Sequence, residues 1–148
     1  MRWLAVLRGA VLGLALYSPL TQASDWKRLY TVPDRSVEMD LGGIRWEGEV
    51  VLAWVRFSYR TEQSDPARGR YRSMLQLWAY QCGLGRHALM QYAEYSGTDG
   101  AGQVVASDAR SRYAWSYPAP DTIGAAALKL ACSRAPMSTV PTGTAAAL

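Results

Sequence analysis

The eleven residues VVLAWVRFSYR, Val50 to Arg60, alternate with a period of two, and this alternation constrains the fold more than any other feature. Val51, Ala53, Val55, Phe57 and Tyr59 fall on one side of an extended chain, and Leu52, Trp54, Arg56, Ser58 and Arg60 on the other. YRSMLQLWAYQC, from Tyr71, repeats the pattern, with Tyr71, Leu75, Leu77 and Ala79 opposing Arg72, Met74, Gln76, Trp78 and Tyr80. RHALMQYAEY, from Arg86, is a third run of strand length, and Gly83-Leu84-Gly85 before it suits a hairpin turn. GTDGAG (97–102) reads as a further turn leading to a short strand in QVVAS. DWKRLYTV and RSVEMD flank a turn at Pro33-Asp34, and Gly42-Gly43 precedes the long strand. About six strands with links this short make a mainly antiparallel sheet.

The period changes once. In DTIGAAALKLAC, alanine and leucine dominate, Asp121 is placed to cap a helix, and Ile123, Ala127 and Leu130 form an apolar stripe. The expected fold is therefore α+β: a single small domain whose sheet carries one short C-terminal helix.

The ends of the chain are expected to lie outside that domain. Residues 1–23 have a basic start, an apolar run from Gly9 to Tyr17, Pro19, and small residues at Thr21 and Ala23. That is the layout of a secretory signal peptide, and the run is well short of the roughly 20 residues that span a bilayer. Residues 133–148 contain two prolines and mostly small side chains, which reads as a disordered tail. The domain is then 24–132, exported, with no transmembrane segment left after cleavage. No cysteine stands at the cleavage site to carry a lipid.

Removing Arg2 and Arg8 with the leader leaves fourteen basic residues against twelve acidic ones. This balance is too even for a nucleic-acid binder. Cys82 and the single histidine, His87, lie five residues apart and raise the question of a catalytic or metal-binding pair. An exported protein with two cysteines is instead expected to join them, here Cys82 to Cys132. One histidine then remains, which is too few for a zinc site, and no nucleophile elbow accompanies it. Glu38 with Asp40, and Glu47 with Glu49, are neighbours at i, i+2 on what reads as a solvated face, not carboxyls across a cleft. GTDGAG lacks the lysine of a phosphate loop. No enzyme, metal or cofactor is called for. ARGRYR (67–72) gathers Arg68, Arg70, Tyr71 and Arg72, the best candidates for contact with an anionic partner. The competing reading is a solvated loop before an edge strand kept from pairing by its charge. Tryptophan and tyrosine are abundant, and with arginine they are typical both of interfaces and of thin cores.

The order of these landmarks resembles the surface-adhesin protein E family of Gram-negative bacteria. The landmarks are Trp26, Asp34 and Ser36, Trp54 in VVLAWVRFSY, Tyr71-Arg72-Ser73, Cys82, Tyr92, Gly102 before Val104-Val105, Trp115, Pro118 and Cys132. The resemblance implies a small antiparallel sheet with a helix, and an adhesin-like, non-enzymatic module of the cell envelope that binds a protein or glycan. Unlike the family's named adhesin, this chain has no lipoprotein cysteine, so a periplasmic or released protein is expected. A self-associating envelope protein, possible as a homodimer, is the alternative, and a hydrolase using His87 a more distant one.

Overall fold

The structure, a computed structural model, describes residues 23–134. The expected leader and tail lie outside the described residues, apart from Ala23 and Ser133-Arg134 at their inner ends. At the centre, β4 (Val50–Asp65) and β5 (Gly69–Gln81) form a long antiparallel hairpin in which Val51 faces Tyr80 and Ala53 faces Trp78. Valine, tryptophan, tyrosine and phenylalanine fill these strands because their stiff or flat side chains pack well on a pleated surface. β2 (Arg35–Asp40) pairs with β4, and β1 (Trp26–Val32) closes that side. β6 (Arg86–Tyr95) pairs with β5, and β7 (Val104–Ala109) closes the other side. The sheet order is β1-β2-β4-β5-β6-β7, and every pairing is antiparallel.

A seventh strand, β3 (Arg45–Glu47), pairs with the start of β4 beyond the end of β2. It joins β4 through Gly48-Glu49, where Gly48 takes φ 61°, a left-handed value open to glycine. The hairpin expected at Gly83-Leu84-Gly85 is present: Cys82–Leu84 make one 3-10 turn, and Gly85 at φ 63° reverses the chain into β6.

Helix α1 (Ile123–Ser133) lies on the sheet face formed by Val37, Met39, Val51, Ala53, Val55 and Tyr80. Its cap is Thr122, whose hydroxyl accepts a hydrogen bond from the Ala125 N–H at 3.2 Å. Asp121, expected in that role, has φ 58° and belongs to the preceding turn. The fully covered helix positions are Ala127 and Ala131, with Ile123 and Leu130 packed at the flanks. Two alanines one turn apart let the helix settle over the bulky ring of Tyr80, which a leucine in the same place would push away. Each fully buried side chain of valine or methionine size on this face contributes about 1.5–3 kcal/mol.

Cys82 and Cys132 form a disulfide with 5.6 Å between Cα atoms, so the end of the helix is tied to the β5–β6 turn. The bond closes a loop with a sequence separation of 50, for which the chain-entropy relation gives roughly 4 kcal/mol of stabilisation. Cys82→Ser with Cys132→Ser should lower unfolding stability by roughly that amount. Urea denaturation of the oxidised protein beside the double variant measures it; equal midpoints would show that the helix is held by packing alone.

Candidate functional site

Of the residues expected to contact a partner, Arg68 lies in the turn that joins β4 to β5, and Arg70, Tyr71 and Arg72 open β5. Asp65 accepts hydrogen bonds from the Ala67 and Arg68 N–H groups at 2.8 and 3.2 Å, which tightens the turn. The Arg68 guanidinium folds back onto Asp65 at 2.9 and 2.7 Å and donates to Glu94 Oε1 at 2.9 Å. Glu94 is wholly buried on β6, and its Oε2 has no partner. Burial raises the Glu94 pKa above the usual carboxylate range, with Arg68 pulling the other way. The Arg68 hydrogen bond, helped by the Ala67 N–H, lowers the Asp65 pKa. Arg68 therefore links the turn to β6. Tyr71 stands edge-on to Tyr59 with ring centres 5.8 Å apart. Arg70 is exposed and pairs with Glu62 at 3.1 Å. The strand that follows this loop, β5, is central rather than an edge strand, so charge is not needed there to block pairing.

Arg72 belongs to a larger feature. The β4–β5 register jumps between Ser58, opposite Ser73, and Gln63, opposite Tyr71, so four residues of β4 face one of β5. This bulge lifts Tyr59–Glu62 off the ladder. The Arg60 N–H reaches the Asp34 carbonyl at 2.8 Å, and Arg72 Nη2 donates to the Arg60 carbonyl at 2.8 Å. Around the bulge opens a cleft of about 580 Å³ whose walls include Arg28, Arg35, Arg56, Arg60 and Arg72, with Glu38 and Asp99 as the only carboxylates among the described residues that line it. Glu38 is engaged by Arg56 and by Arg28. Asp99 accepts from the Ser58 hydroxyl at 2.6 Å and lies 3.8 Å from Arg56. Among the described residues Arg60 and Arg72 have no ion pair, and the buried Nε atoms of Arg35 and Arg72 have no hydrogen-bond partner. The cleft thus holds positive charge and N–H donors in excess of what the chain itself uses.

Arg28, Arg35, Arg56 and Arg60 were not singled out by sequence because they come from three strands. The available signal was Arg56-Ser58-Arg60, a polar set at alternate positions of an otherwise apolar strand. Two other expectations change. Asp40 is buried, not solvated, and accepts the Asp25 and Gly42 N–H groups at 2.8 and 3.1 Å, while Glu38 is spent on arginines. GTDGAG is more than a turn: Thr98–Gly100 forms a 3-10 turn bound to Ser58 and Ser73 on the sheet face away from the helix.

Cys82 is bonded to Cys132 and offers no thiol. His87 sits on β6 opposite Tyr80, stacks on Trp78 with ring centres 4.6 Å apart, and exchanges backbone hydrogen bonds with Ser116 at 2.9 Å. Burial lowers its pKa, so the imidazole is neutral at pH 7. No group of three or more histidine, cysteine or carboxylate side chains among the described residues is arranged to hold a metal ion. Among the same residues no helix is long and apolar enough to cross a membrane.

Among the described residues, one antiparallel sheet, one helix tied to it by a disulfide and an arginine-lined cleft define a small α+β domain. The sequence profile of the family described as surface-adhesin protein E matches residues 26–133, and the chain belongs to that family, which makes it an adhesin-like protein. Solved structures of Haemophilus influenzae protein E share the fold. One is 18% identical with a TM-score of 0.55, covering 80% of this chain and 91% of that one. A second crystal form is 17% identical with a TM-score of 0.54, covering 77% and 94% respectively. Comparison with curated proteins finds no significant sequence match.

The raised Glu94 pKa carries a pH signature. Its contribution to stability is fully present below the unfolded value, near 4.5, and is lost as pH rises through the higher folded value. Glu94→Gln should therefore flatten the stability profile just above pH 4.5. Urea midpoints measured from pH 4 to 7 on both proteins test this; parallel curves would refute it. Arg68→Ala should lower the midpoint at pH 7 by leaving Glu94 unpaired, whereas Arg70→Ala should leave it in place.

Proposed function

We propose that this chain is an exported, non-enzymatic binding module of a bacterial cell envelope, and that it holds an acidic partner, protein or glycan, in the arginine-lined cleft. The observation that carries this reading is the concentration of five arginines against two carboxylates in one opening of about 580 Å³. A guanidinium offers a planar fork of N–H donors that fits carboxylate, sulfate or phosphate oxygens. An opening of this size accommodates a sugar or the side chains of a short acidic segment. Membership of a surface-adhesin family supports binding to an outside partner, and the leader-like residues 1–23 support export to the periplasm or beyond.

Within this proposal Arg68 in the β4–β5 turn and Arg70, Tyr71 and Arg72 at the start of β5 divide their work. Arg72 is a wall of the cleft, and Arg70 is exposed beside it with its charge met by Glu62. Arg68 and Tyr71 fix the shape of the β4–β5 arm through Glu94 and Tyr59.

The test uses the mature protein on immobilised matrix proteins and a panel of sulfated and carboxylated glycans. Replacing Arg28, Arg60 and Arg72 together with alanine should weaken capture at least about tenfold, the loss of one or two charge-assisted contacts, with the melting temperature almost unchanged. Binding should also weaken as salt rises. Capture that ignores both the substitutions and salt would overturn the assignment of the cleft. A stable dimer by light scattering, with no ligand captured, would favour the self-associating alternative.

A further inference from the structure

A second opening lies on the other side of the sheet, under the first turn of α1. It measures about 270 Å³, and its walls are Phe57, Trp78, Tyr80 and His87 from the sheet and Ile123 and Ala127 from the helix. Phe57, Trp78 and His87 are each half-buried, so three aromatic rings border a space that the chain does not fill. Among the described residues no aspartate, glutamate, lysine or arginine lines it. Two polar groups on its walls are unused. The Tyr80 side chain is fully buried and its hydroxyl has no partner. The His87 ring makes no side-chain hydrogen bond among the described residues; only its backbone is engaged, with Ser116.

The helix keeps this space open with a residue that helices disfavour. Gly124 is the second residue of α1, where glycine is less favourable than alanine. A Cβ at that position would lie 2.8 Å from His87 Cε1 and 3.3 Å from Pro118 Cβ. An alanine there would press on the imidazole and close that side of the opening.

We propose that this cavity binds a neutral, planar aromatic molecule of one or two fused rings carrying a single hydrogen-bonding group, of the indole or phenol class. The size fits, since a cavity of about 150 Å³ accepts benzene and this one is nearly twice as large. Aromatic walls favour a flat ring in stacked or edge-on contact. The absence of charged side chains selects against carboxylates and amines, whose desolvation nothing here offsets. The imidazole and the Tyr80 hydroxyl supply a donor and an acceptor for the one polar group. An apolar pocket with a few convergent polar groups is the usual form of a small-molecule site. This site is separate from the arginine-lined cleft and does not depend on how that cleft is used.

Indole and phenol are the probes, with benzoate as the charged control, titrated into the full mature chain. Binding is read from the His87 imidazole signals by NMR and from calorimetry. Both neutral probes should shift the His87 signals saturably, and benzoate should bind at least about tenfold more weakly. Gly124→Ala should weaken indole binding at least tenfold. His87→Ala acts from the sheet side and should do the same, so the test does not depend on the helix variant folding. Tyr80→Phe keeps the ring and should cost less, about threefold to tenfold for a lost hydrogen bond. No saturable binding of either neutral probe, or indole affinity unchanged from the parent protein in both the Gly124 and the His87 variants, would overturn the proposal. Binding that appears only after residues 135–148 are removed would assign the cavity to the chain's own tail and overturn it as well.

Discussion

The bond between Cys82 and Cys132 holds helix α1 to the sheet, and the character of the remaining described surface follows from how little that helix covers. An eleven-residue helix is about 16 Å long, whereas the sixteen residues of β4 extend to roughly 50 Å before bulging. The dry strip beneath the helix crosses β2, β4 and β5, and on β6 Ala88, Ala93 and Glu94 are buried as well. The rest of both faces is covered by side chains that tolerate partial wetting. Arginines lie on aromatic rings at Arg56 over Trp26, Arg86 over Trp115 and Arg68 over Tyr92, with distances of 4.2, 4.9 and 5.7 Å. A guanidinium stacked on a ring shields apolar area and keeps its N–H edge in water. The abundance of tryptophan, tyrosine and arginine is thus first a solution to a sheet with too little cover.

That solution also explains why a basic cleft is tolerable. Five guanidiniums around one opening repel one another, but the opening faces solvent, where the repulsion is screened. Glu38 and Asp99 offset the part nearest the sheet. The backbone contribution comes from the β4 bulge, which turns Arg60 toward the β1–β2 corner and brings it beside Arg72. A regular ladder would have set these side chains in rows on opposite faces.

The alternation in β4 and β5, the Gly83-Leu84-Gly85 turn, the alanine-rich helix and the disulfide were legible because each is local or nearly forced. Two cysteines allow a single pairing. β3 was missed because three residues carry no period, and its pairing with β4 depends on the Gly48 turn. The helix cap moved from Asp121 to Thr122 because both residue types cap well and only the path out of Pro118-Ala119-Pro120 decides between them. The cleft was half legible. Arg72 was visible as part of a basic run, but its companions come from β1, β2 and β4, and register is what brings them together. Arg68 stood out for the same reason as Arg72, yet its partner Glu94 lies across β5 in a strand that gave no acidic signal of its own.

The period that organised the sheet also organises its two candidate sites. In β4, Val55 and Phe57 line the cavity beneath the helix, while Arg56 and Ser58 line the arginine-rich cleft on the opposite face. Adjacent residues of one strand thus serve different openings and make no side-chain contact across the backbone. A substitution at Phe57 changes the shape of the cavity and leaves the Arg56–Glu38 pair in place. A substitution at Arg56 leaves Glu38 to Arg28 alone and keeps the aromatic wall intact. Alternation separates the two openings chemically while the strand holds them at a fixed distance. A single thin sheet therefore presents a charged opening on one face and an apolar one on the other, each able to vary without dismantling the other.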